Sequence, residues 1–591
     1  MNALSTIQKN LADALSSLGV DPAAYLAMVK PVQDPKFGDY QANCAMPLAK
    51  ALQRQPRDVA QEIVNRLDLG DLLEAPEVAG PGFINLRLKN DWIARQVQAV
   101  ARAERLGVEK AQQPRTIVID FSSPNVAKPL HVGHLRSTII GDSLSRLLGF
   151  LGHNVITDNH LGDWGTQFGI LLYGYKHFRD EAALRADPVR EMTRIYVHVR
   201  KMMAESDDEA EKADNPIAEA ARQETARLQA GDAENVRLWK EFMPVCLEEI
   251  EQIYRKLDVH FDHTHGESFY NPMLAAVVED FQAKGLAEVG CQGAIIVNMG
   301  EGKPPALIRK KDGAFNYTTS DLATIRYRME TWKPDAILYV VGAPQALHFQ
   351  NLFEAARRWG YDRVELLHIA FGSVLGADRK ILRTRDGGVV ELGQLLNEAI
   401  EQGERAYARS LADRTARGEP VPELTPGEKQ AIAEVVGIGA VKYADLAQNR
   451  LSDYVFGWEK MLATEGNTAT YMQYAYARNR NIFRKGGEEV DRYRQSPPLP
   501  ALAEPEERAL ALKILQLEEA LEVAAKEYQP HAITGYLWDL AKTFSGFYQS
   551  CHVLNAETTA LRQSRLLLCD LTARVIQQGL ALLGIKTVER M

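Results

Sequence analysis

Cysteine is scarce in this chain: five residues, at positions 44, 246, 291, 551 and 569, with no Cys-x-x-Cys pair in 591 residues. An odd, scattered set makes neither a disulfide scaffold nor a cysteine zinc site, and it fits a reducing, cytoplasmic setting. Long apolar runs are missing as well. No stretch approaches the roughly 20 residues of a membrane span, so no membrane partner is expected. The amphipathic opening MNALSTIQKNLADALSSLGV has neither a signal-peptide core nor the basic bias of a transit peptide. Positive charge is not in excess, since 69 Lys and Arg against 78 Asp and Glu leave a net charge of −9. Taken alone, that balance argues against a nucleic-acid binder; screening over about 10 Å lets a local basic patch act against it. There is no short-period repeat, and the proline-rich piece QSPPLPALAEP (495–505) reads as a turn or linker. With 46% hydrophobic and 25% charged residues the chain reads as soluble and globular, too long for one core, and divided into three or four domains.

The densest chemistry lies in FSSPNVAKPLHVGHLRSTIIGDSLSRLLGF, residues 121–150. It follows an apolar run, TIVID (116–120), that reads as a buried strand, and it ends in a helical pattern carried by Leu135, Ile139, Leu144, Leu147 and Leu148. Strand, tight loop and helix N-terminus are the geometry that holds a phosphate at the carboxyl edge of a parallel sheet. Gly133 permits close backbone approach, and the imidazoles of His131 and His134 can donate to phosphoryl oxygens. A zinc pair is the competing use of His-x-x-His, but residue 132 is Val where the HExxH pattern needs Glu. No protein-bound metal is expected.

The segment from TIVID onward alternates strand and helix: the HVGH helix, then HNVITDNH (153–160), then a helix opened by LGDWGTQFG (161–169). That order predicts a doubly wound α/β parallel sheet, Rossmann-like. A charged helical stretch at about 180–300 interrupts it, including the acidic run MMAESDDEAEKAD (202–214), which reads as a solvated helix face. The sheet resumes with DAILYVVG (335–342) and VELLHIAFG (364–372). The expected division is an α+β domain over 1–110, the sheet domain over 111–400 with its insertion, a helical connector over 401–450, and an all-α bundle over 451–591. In the bundle, Tyr474, Arg478, Arg480, Arg484 and Lys485 interleave aromatic and basic character, which suits stacking and backbone contact on an unpaired RNA loop. Tyrosines in the core of an amphipathic bundle are the competing explanation.

HVGH is similar to the HIGH signature of class I aminoacyl-tRNA synthetases, and SSPNVAKPLHVGHLRSTIIGD resembles the arginyl version of that block. The N-terminal blocks PKFGDYQANCAMP and EVAGPGFINLRL resemble the domain by which arginyl enzymes dock the tRNA elbow; TYMQYAYARNRNIFRK and FSGFYQSCHVL resemble their anticodon-binding domain. The resemblance implies ATP-dependent activation of L-arginine and its transfer to the 3′ adenosine of tRNA specific for arginine, with ATP and Mg²⁺ as the cofactor set, and the protein a monomer. Catalysis falls to His131, His134 and Lys128. ATP is implied at His131, Gly133, His134, Gly162, Asp163, Gly165, Lys380, Arg383 and Arg385. The last three lie in GSVLGADRKILRTRDGGVVEL (372–392), placed like the KMSKS loop of the class but poor in letters: Thr384 replaces the second lysine, and Lys128 is the residue thought to compensate. Arginine is implied at Asp120, Ser122, Asn125, Tyr317, Asp321 and Gln345, where the Asp321 carboxylate receives the planar guanidinium. If the helix of FNYTTSDLATIRYR starts near Thr318, Tyr317 and Asp321 lie about one turn apart and face one pocket. The tRNA is implied at Phe37, Asn43, Tyr474, Arg478, Tyr548 and Met591.

Three readings compete. A catalytically dead tRNA-binding paralogue would have lost His131, His134, Asp321 or Gln345, and all are present. A cysteinyl synthetase would need zinc-ligating cysteines and would lack the N-terminal domain. A small-molecule nucleotidyl transferase would leave residues 1–110 and 451–591 without work.

Overall fold

A computed structural model describes residues 2–591 apart from 33, 69, 204–214, 291–292, 301, 303, 312, 383–389, 417, 419–420 and 422. The chain divides into two compact units. The first gathers its two ends: residues 1–110 with 464–580 and 586–591. Its sheet joins β1 (Val29–Pro31), β2 (Tyr40–Ala42), β3 (Glu77–Ala79) and β4 (Phe83–Leu86) in the antiparallel order β1-β2-β4-β3. The helix Asn90–Arg102 buries Ile93, Val97, Val100 and Ala101 at helical spacing and carries Asp91 at its start and Arg102 at its end, as the helix dipole favours.

The two ends are tied by buried polar bonds. Asp39 accepts both guanidinium nitrogens of Arg508, each at 2.8 Å, and Arg508 also donates to the Leu88 carbonyl. Tyr40 donates to Glu519 at 2.6 Å, and the Leu4 amide does so at 3.3 Å. Burial pushes the Glu519 carboxyl up to about 7. Farther along, Arg574 donates to the Ala101 and Ala103 carbonyls. The helical residues of this unit run from Ala469–Gly486 through Pro505–Leu515, Leu517–Lys526 and His531–Ser550 into Thr559–Leu582.

The second unit comprises residues 111–463 and 581–585. Strands β5 (Thr116–Asp120) and β6 (Asn154–Asp158) form one half of its main sheet. The insertion adds a small antiparallel sheet of β7 (Glu288–Val289), β8 (Ile295–Val297) and β9 (Ala306–Arg309). The main sheet is completed by β10 (Ala336–Tyr339) and β11 (Glu365–His368), all parallel, in the order β11-β10-β5-β6. Ile117, Val118, Ile119, Ile337 and Leu338 are buried, as the continuous apolar runs of a sheet covered on both faces require. The order reverses between β5 and β10, so the crevice beyond the carboxyl ends of those two strands is where this architecture places ligands. The expected doubly wound sheet, split by an insertion, is the one observed.

Two details differ from expectation. Residues 451–463 pack with the sheet unit, because β12 (Val374–Leu375) pairs in parallel with β13 (Tyr454–Val455). The helix Pro426–Leu446, read as part of a connector, braces the helix Val132–Phe150: buried Asp445 pairs with buried Arg136 at 3.0 Å, and buried Lys442 reaches Asp142 at 3.5 Å. The acidic run 202–214, read as a solvated helix face, lies outside the described residues apart from Met202 and Met203, which end the helix Pro188–Met203.

Candidate active site

The helix Val132–Phe150 starts with a cap built from the signature itself. His131 Nδ1 accepts from the Gly133 amide at 3.1 Å, and His134 Nδ1 accepts from the His131 amide at 3.1 Å. This is the reciprocal arrangement usually made by Ser and Glu, written in imidazole. With Nδ1 accepting, the neutral ring carries its hydrogen on Nε2, so each histidine keeps one donor for a ligand. The rings lie 3.9 Å apart. Burial pushes His134 down to about 3, helped by the neighbouring charges of His131 and Lys128; burial and Lys128 also lower His131. Gly133 is required here, since a Cβ would stand 2.8 Å from the His131 ring.

Lys128 is half-buried beside them, and its ammonium makes no hydrogen bond or ion pair with a described residue; its pKa is lowered by burial and by Arg200. The chain from β5 to this helix passes Ser122 and Ser123 at φ of 70° and 46°, positions that L residues rarely take and that gather at functional sites. Ser122 is held by Tyr254 (2.8 Å) and Thr138 (2.9 Å).

A cavity of about 500 Å³ opens at the β5/β10 switch point, a size suited to a small-molecule site. His134 and Gly133 line one side; Tyr317, Asp321, Gln345 and His348 line the other, with Asp120, Ser122 and Asn125 between. The helix Tyr317–Thr331 begins one residue before the expected start, and Tyr317 and Asp321 do share one pocket. Tyr317 is 62% exposed at the cavity. The Asn125 and Gln345 amides form no side-chain hydrogen bond with a described residue and remain available to a ligand. His348 Nε2 lies 2.7 Å from Asp321 Oδ2.

Not every candidate faces this space. Asp163, expected at the nucleotide, is 4% exposed; its carboxylate accepts from the Ser268 amide and hydroxyl, and Gly266 leaves room for it. It fixes the turn that carries Glu267 into the cavity instead. Gly162 bridges to Asn125, and Gly165 caps the helix Thr166–Phe178; neither lines the cavity. His131 and Lys128 stand just outside its lining. Lys380 is exposed in the turn after β12, with its amide on Asp378. Arg383 and Arg385 lie outside the described residues.

Asp120 lines the cavity but is already paired: its Oδ2 takes Arg328 Nη2 at 2.6 Å and its Oδ1 takes Ser123. Arg328, fully buried, also donates to Asp158, so one guanidinium clamps the carboxyl ends of β5 and β6. Sequence reasoning passed over Arg328, although it closes the quoted FNYTTSDLATIRYR, and it also missed Glu267, His160 and His348. Glu267 lies in GESFYNPML (266–274), where its signal is an acid beside aromatics opening a helix. Burial raises its carboxyl, as do the charges of Asp163 and Asp321, while His160 opposes them. Two acids facing one cavity favour a cationic ligand.

Of the residues expected at RNA, Phe37 is 39% exposed with Lys36 over its ring, whereas the Asn43 side-chain oxygen is buried. The Arg478 guanidinium lies 4.9 Å from the Tyr474 ring and 5.8 Å from that of Tyr548, which is 42% exposed. Met591 is partly buried at the chain end.

Comparison with known proteins gives three family matches: "tRNA synthetases class I (R), catalytic domain" over residues 96–458, "DALR anticodon binding domain" over 472–591, and "Arginyl tRNA synthetase N terminal domain" over 5–88. The chain is 43% identical to an arginine–tRNA ligase of Rhodopirellula baltica and 44% identical to one of Cellvibrio japonicus, in each case over 100% of both chains. Among solved structures, the arginyl-tRNA synthetase of Plasmodium falciparum superposes with a TM-score of 0.81 at 28% identity, covering 99% of this chain and 98% of the other. The Thermus thermophilus arginyl-tRNA synthetase gives 0.80 at 26%, covering 99% and 100%.

Proposed function

We propose roles for the site residues of a chain that belongs to the arginyl family of class I tRNA synthetases and is an arginine–tRNA ligase: it uses ATP to activate L-arginine and transfers it to tRNA. The observation that carries the reading is the single cavity that meets the HVGH helix start on one side and the Asp321 pocket on the other. Arginine enters with its guanidinium toward Asp321 and Glu267 and against Tyr317. Its α-amino and carboxylate ends lie among Asp120, Asn125, Ser122 and Gln345. Asp120 acts with its Arg328 partner attached, as a fixed acceptor.

ATP enters as its Mg²⁺ complex, with the metal travelling as part of the substrate. Its phosphates lie at the helix start, where His134 and His131 donate Nε2–H and Lys128 adds the charge. The arginine carboxylate oxygen attacks the α-phosphorus, and the bond to the β-phosphate oxygen breaks, releasing pyrophosphate. No covalent enzyme intermediate is needed; positioning and fixed donors aimed at the phosphoryl oxygens lower the barrier. Because burial pushes His134 down to about 3 in the ligand-free site, it meets the incoming nucleotide as a neutral donor in the physiological range. Gly133 belongs to the helix start, and Lys380, Arg383 and Arg385 serve the leaving pyrophosphate. Gly162, Asp163 and Gly165 support the site from behind.

A hydroxyl of the tRNA's terminal adenosine, the 2′-hydroxyl as in the class, then attacks the adenylate carbonyl, and AMP leaves. The tRNA elbow meets Phe37 and Asn43, and the anticodon loop meets Tyr474, Arg478 and Tyr548, with Met591 near the same helices. The protein acts as a cytoplasmic monomer, and activation waits for tRNA. The test is arginine-dependent ATP–pyrophosphate exchange with and without tRNA specific for arginine. Exchange only with tRNA supports the activation step and its gate; exchange at full rate without it removes the gate; none in either case overturns the site assignment.

A further inference from the structure

The Asp321 carboxylate lines the cavity and has one hydrogen bond to a described residue, the one from His348 at 2.7 Å; its second oxygen has none. A carboxylate only accepts, so the imidazole Nε2 carries the hydrogen. We propose that His348 is the positioning residue for arginine recognition: it pins one Asp321 oxygen and so sets the plane in which the carboxylate meets the guanidinium. The proposal rests on the reading that Asp321 receives the guanidinium.

The geometry suits this task. His348 sits in the first turn of the helix Ala346–Trp359, three residues past Gln345, so one short segment aims both at the cavity. Its ring is fixed edge-on by Tyr317 at 4.8 Å and by Phe349 at 5.2 Å, and its side chain is 16% exposed, against 25% for Asp321. Left alone, a quarter-exposed aspartate facing Glu267 would turn away from it, because like charges repel. A bidentate pair with a planar guanidinium rewards one carboxylate orientation and loses most of its advantage in others. A neutral imidazole supplies that orientation with a single N–H. A lysine or arginine at position 348 would fix the carboxylate equally well but would neutralise the charge that attracts the substrate.

The test uses the full chain with its tRNA and measures ATP–pyrophosphate exchange. For His348→Ala the expected result is an arginine KM raised about tenfold, the equivalent of about 1.4 kcal/mol. The ATP KM and the kcat at saturating arginine stay near the parent values. His348→Gln, which keeps an N–H donor, recovers most of the loss. His348→Phe keeps the packing on Tyr317 and Phe349 without the donor, and carries the same expectation as His348→Ala should that variant fold poorly. An unchanged arginine KM in His348→Phe, a fall in kcat in place of a rise in KM, or a His348→Gln no better than His348→Ala would each overturn the proposal. Asp321→Asn separates the two levels of the argument. If it leaves the arginine KM unchanged, the arginine-site reading itself fails; if it removes arginine activation while the His348 variants behave as the parent, only the role of His348 fails.

Discussion

Two motif-rich stretches of this chain put their polar residues to opposite uses. In the first unit, the Asp39 and Tyr40 side chains of the Phe-Gly-Asp-Tyr block are buried and committed, to Arg508 and Glu519. In the second unit, the stretch from Ser122 to His134 keeps Asn125, Lys128 and both imidazole Nε2 positions open. A block of distinctive residues therefore marks either a construction joint or a reaction site. What distinguishes them is whether the polar atoms are spent on the protein or saved for a ligand.

The comparison predicts that damage at each place shows in a different measurement. The largest effect is at Asp321: Asp321→Asn removes a charge-assisted pair worth up to about 3 kcal/mol, and arginine kcat/KM in pyrophosphate exchange falls by about a hundredfold. Thermal stability stays near the parent value. Asp39→Ala does the reverse. It leaves a mostly buried guanidinium without its counter-charge, held only by the Leu88 carbonyl and Asn90, and denaturant titration shows a loss of about 3 kcal/mol, while ATP binding measured calorimetrically is unchanged.

The reaction site also answers to pH. His134 ordinarily titrates at 6.5 and is pushed down to about 3 in the folded chain. The unfolded chain therefore binds a proton more readily below 6.5, and stability falls as pH drops from 6.5 toward 3, by up to a few kcal/mol from this group. His134→Asn, which removes the titrating group, should flatten that part of the stability profile; an identical profile would contradict the assignment. The smallest effect is at Gly133. Gly133→Ala displaces the His131 ring by steric contact, and we expect kcat for exchange to drop roughly tenfold while helix stability moves by less than about 1 kcal/mol. A stability loss without a change in kcat would place Gly133 among the construction joints.

Much of the second unit was legible because its signals are local. TIVID is apolar without a break, Gly133 sits between two histidines at a helix start, and Tyr317 and Asp321 stand one turn apart. What escaped came from distance. Tyr254 reaches Ser122 from a helix of the insertion, Glu267 arrives on a turn pinned by Asp163, and Arg328 joins two strands whose adjacency no single stretch announces. The burial of Asp163 against Ser268 was not legible, because a Gly-Asp-Trp-Gly turn at a sheet edge looks the same whether its acid faces a ligand or a neighbouring loop. In the first unit, the exposure of Phe37 and the burial of Asp39 two residues later follow from which face of the turn meets the C-terminal helices, and that is a tertiary fact.

The nesting of the two units has a consequence for how the protein is made. Residues 1–110 find the helices that cover them only after residues 464–591 exist, while the sheet unit between them is nearly complete by residue 463 and lacks only 581–585. On the ribosome the middle of the chain can fold before its beginning does. The N-terminal segment then emerges first and is finished last, with Asp39 and Tyr40 awaiting partners more than four hundred residues downstream.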